Sequence, residues 1–237
     1  MRISQLLIFS SLLLISCRTV SNQSVRRLTT HLAVEGETVL VRDVVFAENT
    51  AYVFAEDIST SVMTIYDLAE MKWIEAADGK AVTLAEAKRW AKRRREITEK
   101  SVAEIEDPGL KSLMNAMLNP DFNISRADGE LLVSNAYITF RITDHKELTD
   151  PWKTKFCAYE RLSAYHTAMT RQSLPVYPRL ALLDVFEQEG IFPTRLEFTM
   201  KASPEEKIST TQTVEITEMT AAEFQRILAK KRQRKAP

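Results

Sequence analysis

Three histidines (His31, His145, His166) and two cysteines (Cys17, Cys157) are the side chains of this 237-residue sequence best suited to nucleophilic, acid–base or metal chemistry. Cys157 and His166 stand nine residues apart in a stretch of helical periodicity. That spacing is about 13 Å along a helix axis, too far for a nucleophile–base pair unless the helix is broken. Cys157 reads instead as a small buried residue. Asp144, His145 and Asp150 could offer a metal two carboxylates and an imidazole, but they occupy a polar stretch where such residues are ordinary. No metal and no cofactor is expected. His31 falls on the more polar side of an extended segment. The five glycines, Gly36, Gly79, Gly109, Gly129 and Gly190, are too dispersed for a phosphate-cradling loop, and no serine has the flanking glycines of a nucleophile elbow. The expectation is a protein that is not an enzyme; a hydrolase would have to rest on His145 or His166.

Charge offers a sharper feature. Lys88, Arg89, Lys92, Arg93, Arg94 and Arg95 lie within a single stretch. They flank an apolar stripe of Leu84, Ala87, Trp90, Ala91, Ile97 and Ile105 at helical spacing. Such a face could meet anionic lipid headgroups, acidic cell-wall polymers or an acidic partner. The plainer reading is a solvated face with Trp90 turned to the core. A second basic run, Lys230, Lys231, Arg232, Arg234 and Lys235, ends the sequence and reads as a frayed tail. With Lys+Arg and Asp+Glu balanced at 32 each, the remainder of the chain is acidic.

The N-terminus supplies an address. Arg2 precedes an apolar-plus-serine run from Leu6 to Ile15, too short to span a hydrocarbon layer of ~30 Å as a helix and of the kind found in signal peptides. Leu14-Ile15-Ser16-Cys17 resembles the lipobox of bacterial lipoproteins. The resemblance implies cleavage before Cys17, lipid on its sulfur, and a protein held on a membrane surface of the bacterial envelope. Two or more acyl chains anchor firmly where one binds reversibly. Arg18, rather than Asp, follows the cysteine, which by resemblance to the sorting rule of enteric bacteria favours the outer membrane. A secreted chain is not expected to bind nucleic acid. Lipidation would leave Cys157 without an intrachain disulfide partner.

These residues must be positioned by elements that the pattern outlines. Residues 1–16 form the signal peptide, 17–26 the lipidated cysteine and tether, 27–229 a single domain and 230–237 the basic tail. Segments around Leu28–Val34, Val39–Phe46, Tyr52–Phe54, Val62–Tyr66 and Trp73–Ile74, with turn signals between them, predict a five-stranded antiparallel meander that ends at Asp78-Gly79-Lys80. Several of these strands are apolar on both faces, so helices or a ligand should cover the second face. Thr83 and Glu86 have capping-box spacing for a helix running to about Glu106. Pro108 starts a second helix with Leu113, Met114 and Met117 inward. Strands resume from Phe122 to Thr143 about an Asp128-Gly129 hairpin, and Asp144 to Pro151 reads as a polar loop. Phe156 to Met169 and Leu180 to Phe186 read as helices, the latter closed by Gly190. A last hairpin, Thr194–Ala202 with Lys207–Glu218, precedes a terminal helix holding Phe224, Ile227 and Leu228.

The fold class expected is α+β: one curved, half-barrel-like antiparallel sheet with several packed helices. Thr64-Ile65-Tyr66-Asp67-Leu68 leading to Lys72-Trp73-Ile74, the Gly190-Ile191-Phe192-Pro193 turn, and Phe224 closing the domain resemble the half-barrel of the lipoprotein-carrier and LppX-like envelope proteins. The chain also looks like an uncharacterised bacterial lipoprotein family, a likeness that supplies no function. The carrier resemblance implies a concave face that holds a lipid acyl chain. The leading expectation is therefore an envelope lipoprotein that binds or shields a hydrophobic ligand. The alternative is an interaction scaffold that contacts an acidic partner or surface through the basic helix.

Overall fold

A computed structural model describes residues 24–56, 62–150, 152–171, 175–201 and 207–234. An N-terminal run of six strands comes first: β1 (Ser24–Val34), β2 (Glu37–Ala47), β3 (Thr50–Phe54), β4 (Val62–Asp67), β5 (Lys72–Glu75) and β6 (Ala81–Thr83). Two helices follow, α1 (Leu84–Ala103) and α2 (Pro108–Leu118), then β7 (Asn123–Ala127), β8 (Glu130–Ser134) and β9 (Ile138–Glu147). The chain continues through α3 (Trp152–Arg171), α4 (Tyr177–Glu189), β10 (Ile191–Lys201), β11 (Lys207–Thr220) and α5 (Ala221–Arg234).

All eleven strands join one open antiparallel sheet in the order β6-β5-β4-β3-β2-β1-β11-β10-β9-β8-β7. The α+β class with a large antiparallel sheet is as the sequence predicts. The chain walks outward from the middle of the sheet to the β6 edge and crosses by α1 and α2 to the β7 edge. It then walks back, so that its first and last strands meet at the centre, with Leu28 opposite Ile216. Local turn chemistry sets the hairpins. Asp128 and Gly129 both have positive φ, 53° and 81°, the conformation of a two-residue primed turn. Gly190 caps α4 in the left-handed region, its N–H donating to the Phe186 carbonyl.

Several boundaries differ from the sequence expectation, beginning with the stretch 17–26 read as a tether: β1 already starts at Ser24, and Val25 is buried against Val45 and Phe224 because it pairs into the middle of the sheet. Asp78-Gly79-Lys80 does not end the meander but turns it into β6, where Val82 pairs with Trp73; three residues are too few to show an alternation. The polar stretch from Asp144 is strand as far as Glu147, with Asp144 opposite Arg195 and His145 opposite Pro193. Its polarity reflects an exposed strand end rather than a loop. Gly190-Ile191-Phe192-Pro193 is not a turn, because the strand begins directly after the helix cap, with Ile191 and Phe192 buried. α5 continues to Arg234, so the basic run that reads as a frayed tail enters the helix; residues 235–237 lie outside the described residues.

Pairing register shows why the strands are apolar on both sides. Leu28, Val44 and Val53 share one face of the sheet with Leu196, Ile142 and Leu131. On that face α3 packs with Trp73, Phe46, Tyr66 and Val53, while α2 and α4 pack with Phe140, Ile142 and Leu131. The opposite face is apolar in one place only among the described residues: Val25, Val45 and Phe54 receive Ala221 and Phe224 of α5. Helices from the chain itself thus cover both apolar surfaces. Leu113, Met117 and half-buried Trp90 are part of this filling.

Candidate interaction site

The basic stretch lies on a helix that is capped at its start and followed directly by a second capped helix. At the start of α1, Thr83 Oγ1 accepts the Glu86 N–H at 3.2 Å, and Glu86 Oε2 accepts the Thr83 N–H at 2.8 Å and its hydroxyl at 2.7 Å. The donated backbone N–H, reinforced by the hydroxyl, holds the Glu86 carboxyl below its usual range. α2 is capped by Asp107, which accepts the Leu110 N–H at 2.7 Å, with Pro108 at the first helical position. Ala87, Ala91 and Val102 bury one side of α1. The 3.6-residue period then leaves Lys88, Arg89, Lys92 and Arg93 on the opposite side, and these four together with Arg94 are exposed. None of the five makes an ion pair among the described residues.

Arg95 is placed differently from the other five. Its Nε donates to Glu99 at 2.7 Å, its Nη2 meets the Asn119 side chain at the end of α2, and its guanidinium lies 4.9 Å from the centre of the Tyr177 ring. Tyr177 Oη in turn donates to the Ala91 carbonyl at 3.2 Å. Arg95 is therefore a clamp among α1, α2 and α4, while its neighbours face water. Beside this clamp opens a groove of about 150 Å³, lined chiefly by Trp90, Arg94, Thr98, Met114, Leu118 and Tyr177. Trp90, Arg94 and Thr98, at helical spacing, form much of its α1 side.

The chemically versatile residues are not brought together. Asp144 and Asp150 are exposed and His145 half-buried, and among the described residues no three His, Cys, Asp or Glu side chains converge as metal ligands. Cys157 is buried at the base of an open cleft of about 400 Å³ shared with Asp150, Lys153, Arg161 and Glu187. Arg161 is neutralised there by Asp184 at 3.2 Å and Glu187 at 2.9 Å. Burial, and then the Glu187 carboxylate, push the Cys157 thiol up to about 12. At pH 8 its thiolate fraction is then ~10⁻⁴, against roughly a quarter for an ordinary cysteine. Iodoacetamide is expected to leave Cys157 unmodified in the native protein at pH 8 and to alkylate it promptly in urea, followed by intact mass. Rapid native alkylation would remove the buried-thiol assignment.

His166 enters a constellation that sequence reasoning missed. Its Nδ1 lies 2.7 Å from Tyr66 Oη, and the Glu75 carboxylate faces its Nε2. Which of Nδ1 and the phenol donates follows the protonation of His166. Tyr66 is 3% exposed and Trp73, stacked near the imidazole at 5.3 Å, is 1% exposed. Burial raises the Tyr66 phenol above its ordinary value, so this hydroxyl stays protonated. Farther along α3, Ser163 Oγ accepts from Arg179 at 3.2 Å, and Arg179 also meets Glu160 at 2.7 Å. Glu75, His166 and Tyr66 form a carboxylate–imidazole–phenol chain that runs from a half-buried carboxylate to a buried phenol. Its one sequence signal is that His166 sits seven residues after Tyr159 on the inward side of α3.

Leu14, Ile15, Ser16 and Cys17 lie outside the described residues. No described helix is long and apolar enough to cross a membrane. No protein-family model matches the sequence, and no curated protein matches it.

Proposed function

We propose that this chain is a bacterial envelope lipoprotein, anchored through lipid on Cys17 and non-enzymatic, that works as an interaction module for an acidic partner. The observation that carries this reading is the set of five exposed cations, Lys88, Arg89, Lys92, Arg93 and Arg94, without carboxylate partners among the described residues on a helix locked to the core. An exposed charge already paired has little left to offer a partner, whereas an unpaired row keeps its field. The lipid anchor holds the domain near a surface and raises the effective concentration of anything displayed there.

The test uses the full-length protein in non-ionic detergent, with poly-L-glutamate as probe. Binding at low salt is expected to weaken by about tenfold or more between 0.05 and 0.3 M salt, as exposed charges are screened. It should vanish when Lys88, Arg89, Lys92 and Arg93 are all replaced by Glu. Unchanged binding by that variant would refute the assignment to α1. In the same host, Cys17→Ala should move the protein from the membrane to the soluble fraction.

A second reading, the half-barrel that shelters an acyl chain, draws on one observation. On the core face of the sheet, apolar side chains continue toward the hairpin ends without full cover: Leu32, Leu40 and Met200 are half-buried and Ile208 is 41% exposed. Native mass spectrometry compared with the denatured mass decides it, since a bound lipid adds mass only to the native ion. Leu113, Met117 and Trp90 packed on that face weigh against it.

A further inference from the structure

We propose that the groove where α1 and α2 meet the start of α4 is an anchor pocket for a single aromatic side chain carried by an acidic protein segment. The inference rests on the interaction reading above and names its partner. Three observations converge on it. The first is size. The groove measures about 150 Å³, and an apolar cavity of about that volume accommodates one benzene ring. It is too small for a folded element and suits one anchoring residue of the kind that dominates protein interfaces. The second is lining. Trp90, Met114, Leu118, Val176 and Tyr177 make the walls largely apolar, and Met with aromatic rings adapts well to an inserted ring. Two exposed apolar residues neighbour lining residues in sequence: Ile97, next to Thr98 on α1, is 56% exposed, and Leu110, one turn before Met114 on α2, is 46% exposed.

The third observation is charge. Arg94 lines the groove and Arg93 precedes it on the same helix, both exposed and without an ion pair among the described residues. Arg95, the one cation of the stretch turned inward, is already held by Glu99 and Tyr177, so it stiffens the wall rather than binding. An apolar hole beside unpaired guanidinium groups is complementary to an aromatic residue flanked by Asp or Glu. A flat anionic bilayer would meet the outer cations Lys88, Arg89 and Lys92 but would leave the groove empty, which is why a peptide partner is favoured.

The experiment measures full-length protein in non-ionic detergent against two fluorescent, amidated probe peptides of alternating Asp and Glu, one with a central Phe and one with Ala in its place. Burial of a phenyl ring predicts that the Phe peptide binds about tenfold more tightly or better. Arg94→Glu should weaken both peptides together. Thr98→Leu fills the groove from a position where leucine is a good helix former, and it should erase the Phe preference by bringing the Phe peptide's affinity down to that of the Ala peptide. Equal binding of the two peptides by the unaltered protein overturns the anchor pocket and leaves the basic-face reading standing. A Phe preference that survives Thr98→Leu also overturns it, by placing the aromatic site elsewhere. If neither peptide binds while phosphatidylglycerol vesicles do, the partner is a membrane and the proposal fails. If nothing binds, both readings fail.

Discussion

Phe224→Ala is expected to lower the unfolding free energy by about 4 kcal/mol, within the range for deleting a buried phenyl group. The ring is 1% exposed, packs edge-on against Tyr52 with centroids 5.2 Å apart, and joins α5 to Val25, Val45 and Phe54 on the outer face of the sheet. α5 has 14 residues, and a helix of that length is marginal in water without a docking partner. The substitution should therefore act twice, by leaving a cavity and by releasing the helix to expose Val45 and Phe54, each 0% exposed in the native fold. Urea titration should show a lower midpoint, and amide exchange should show α5 opening well before the sheet. A loss below about 1 kcal/mol with α5 amides still protected would mean that Phe224 does not hold this element.

Asp43→Ala should cost nearly as much, for an electrostatic reason. The Asp43 side chain is fully buried and accepts from Arg27 Nη2 and Thr29 Oγ1, both at 2.6 Å. Arg27 Nε has no hydrogen-bond partner among the described residues and the arginine side chain is 27% exposed, so the carboxylate carries most of the compensation for that guanidinium. Removing one partner of a buried pair costs about 3–5 kcal/mol because the other charge is stranded. Partial exposure of Arg27 puts the expectation at the low end, about 3 kcal/mol. Asp43→Asn keeps an acceptor for Thr29 and should cost less. The decisive comparison is Asp43→Leu with Arg27→Leu: the double variant should recover much of the single loss, since neither charge is then left alone. Strict additivity in that cycle would show that the pair is not coupled.

Much of the fold is legible in the sequence where a few neighbouring residues suffice. Thr83 with Glu86 reads as a capping box and forms as one, and Thr220 and Glu223 bond in the same reciprocal way at the start of α5. Asp128-Gly129 reads as a hairpin turn and adopts the two positive φ angles that turn requires. Gly190 reads as a left-handed helix cap and is one. The cationic row from Lys88 to Arg94 is visible because helical spacing alone separates it from Ala87 and Ala91. Where the reading went astray, at β6 and at the end of β9, the elements were too short or too polar for alternation to register.

The candidate site was half legible for the same reason. That α1 carries an exposed basic face follows from period and composition. That Arg95 leaves this row to join Asn119 and Tyr177 does not, because those partners come from elements far along the chain. The groove likewise exists only where helices remote in sequence converge, and the Tyr66–His166 pair spans 100 residues.

By itself, then, the sequence determined the elements, their caps, their two-sided apolar strands and the charge carried by α1. Tertiary structure alone decided that β1 and β11 close the middle of the sheet, with Leu28 facing Ile216. It also decided that α5 rather than a ligand covers Val45 and Phe54, and that Asp43 is buried against Arg27. The division has a physical cause. Capping, turn formation and helical amphipathicity are energies between residues a few positions apart, and they are written into any short window. Sheet order and helix placement are settled by competition among strands of similar pattern. That competition turns on loop closure and on how much apolar surface each arrangement removes from water, so it is decided by the whole chain at once.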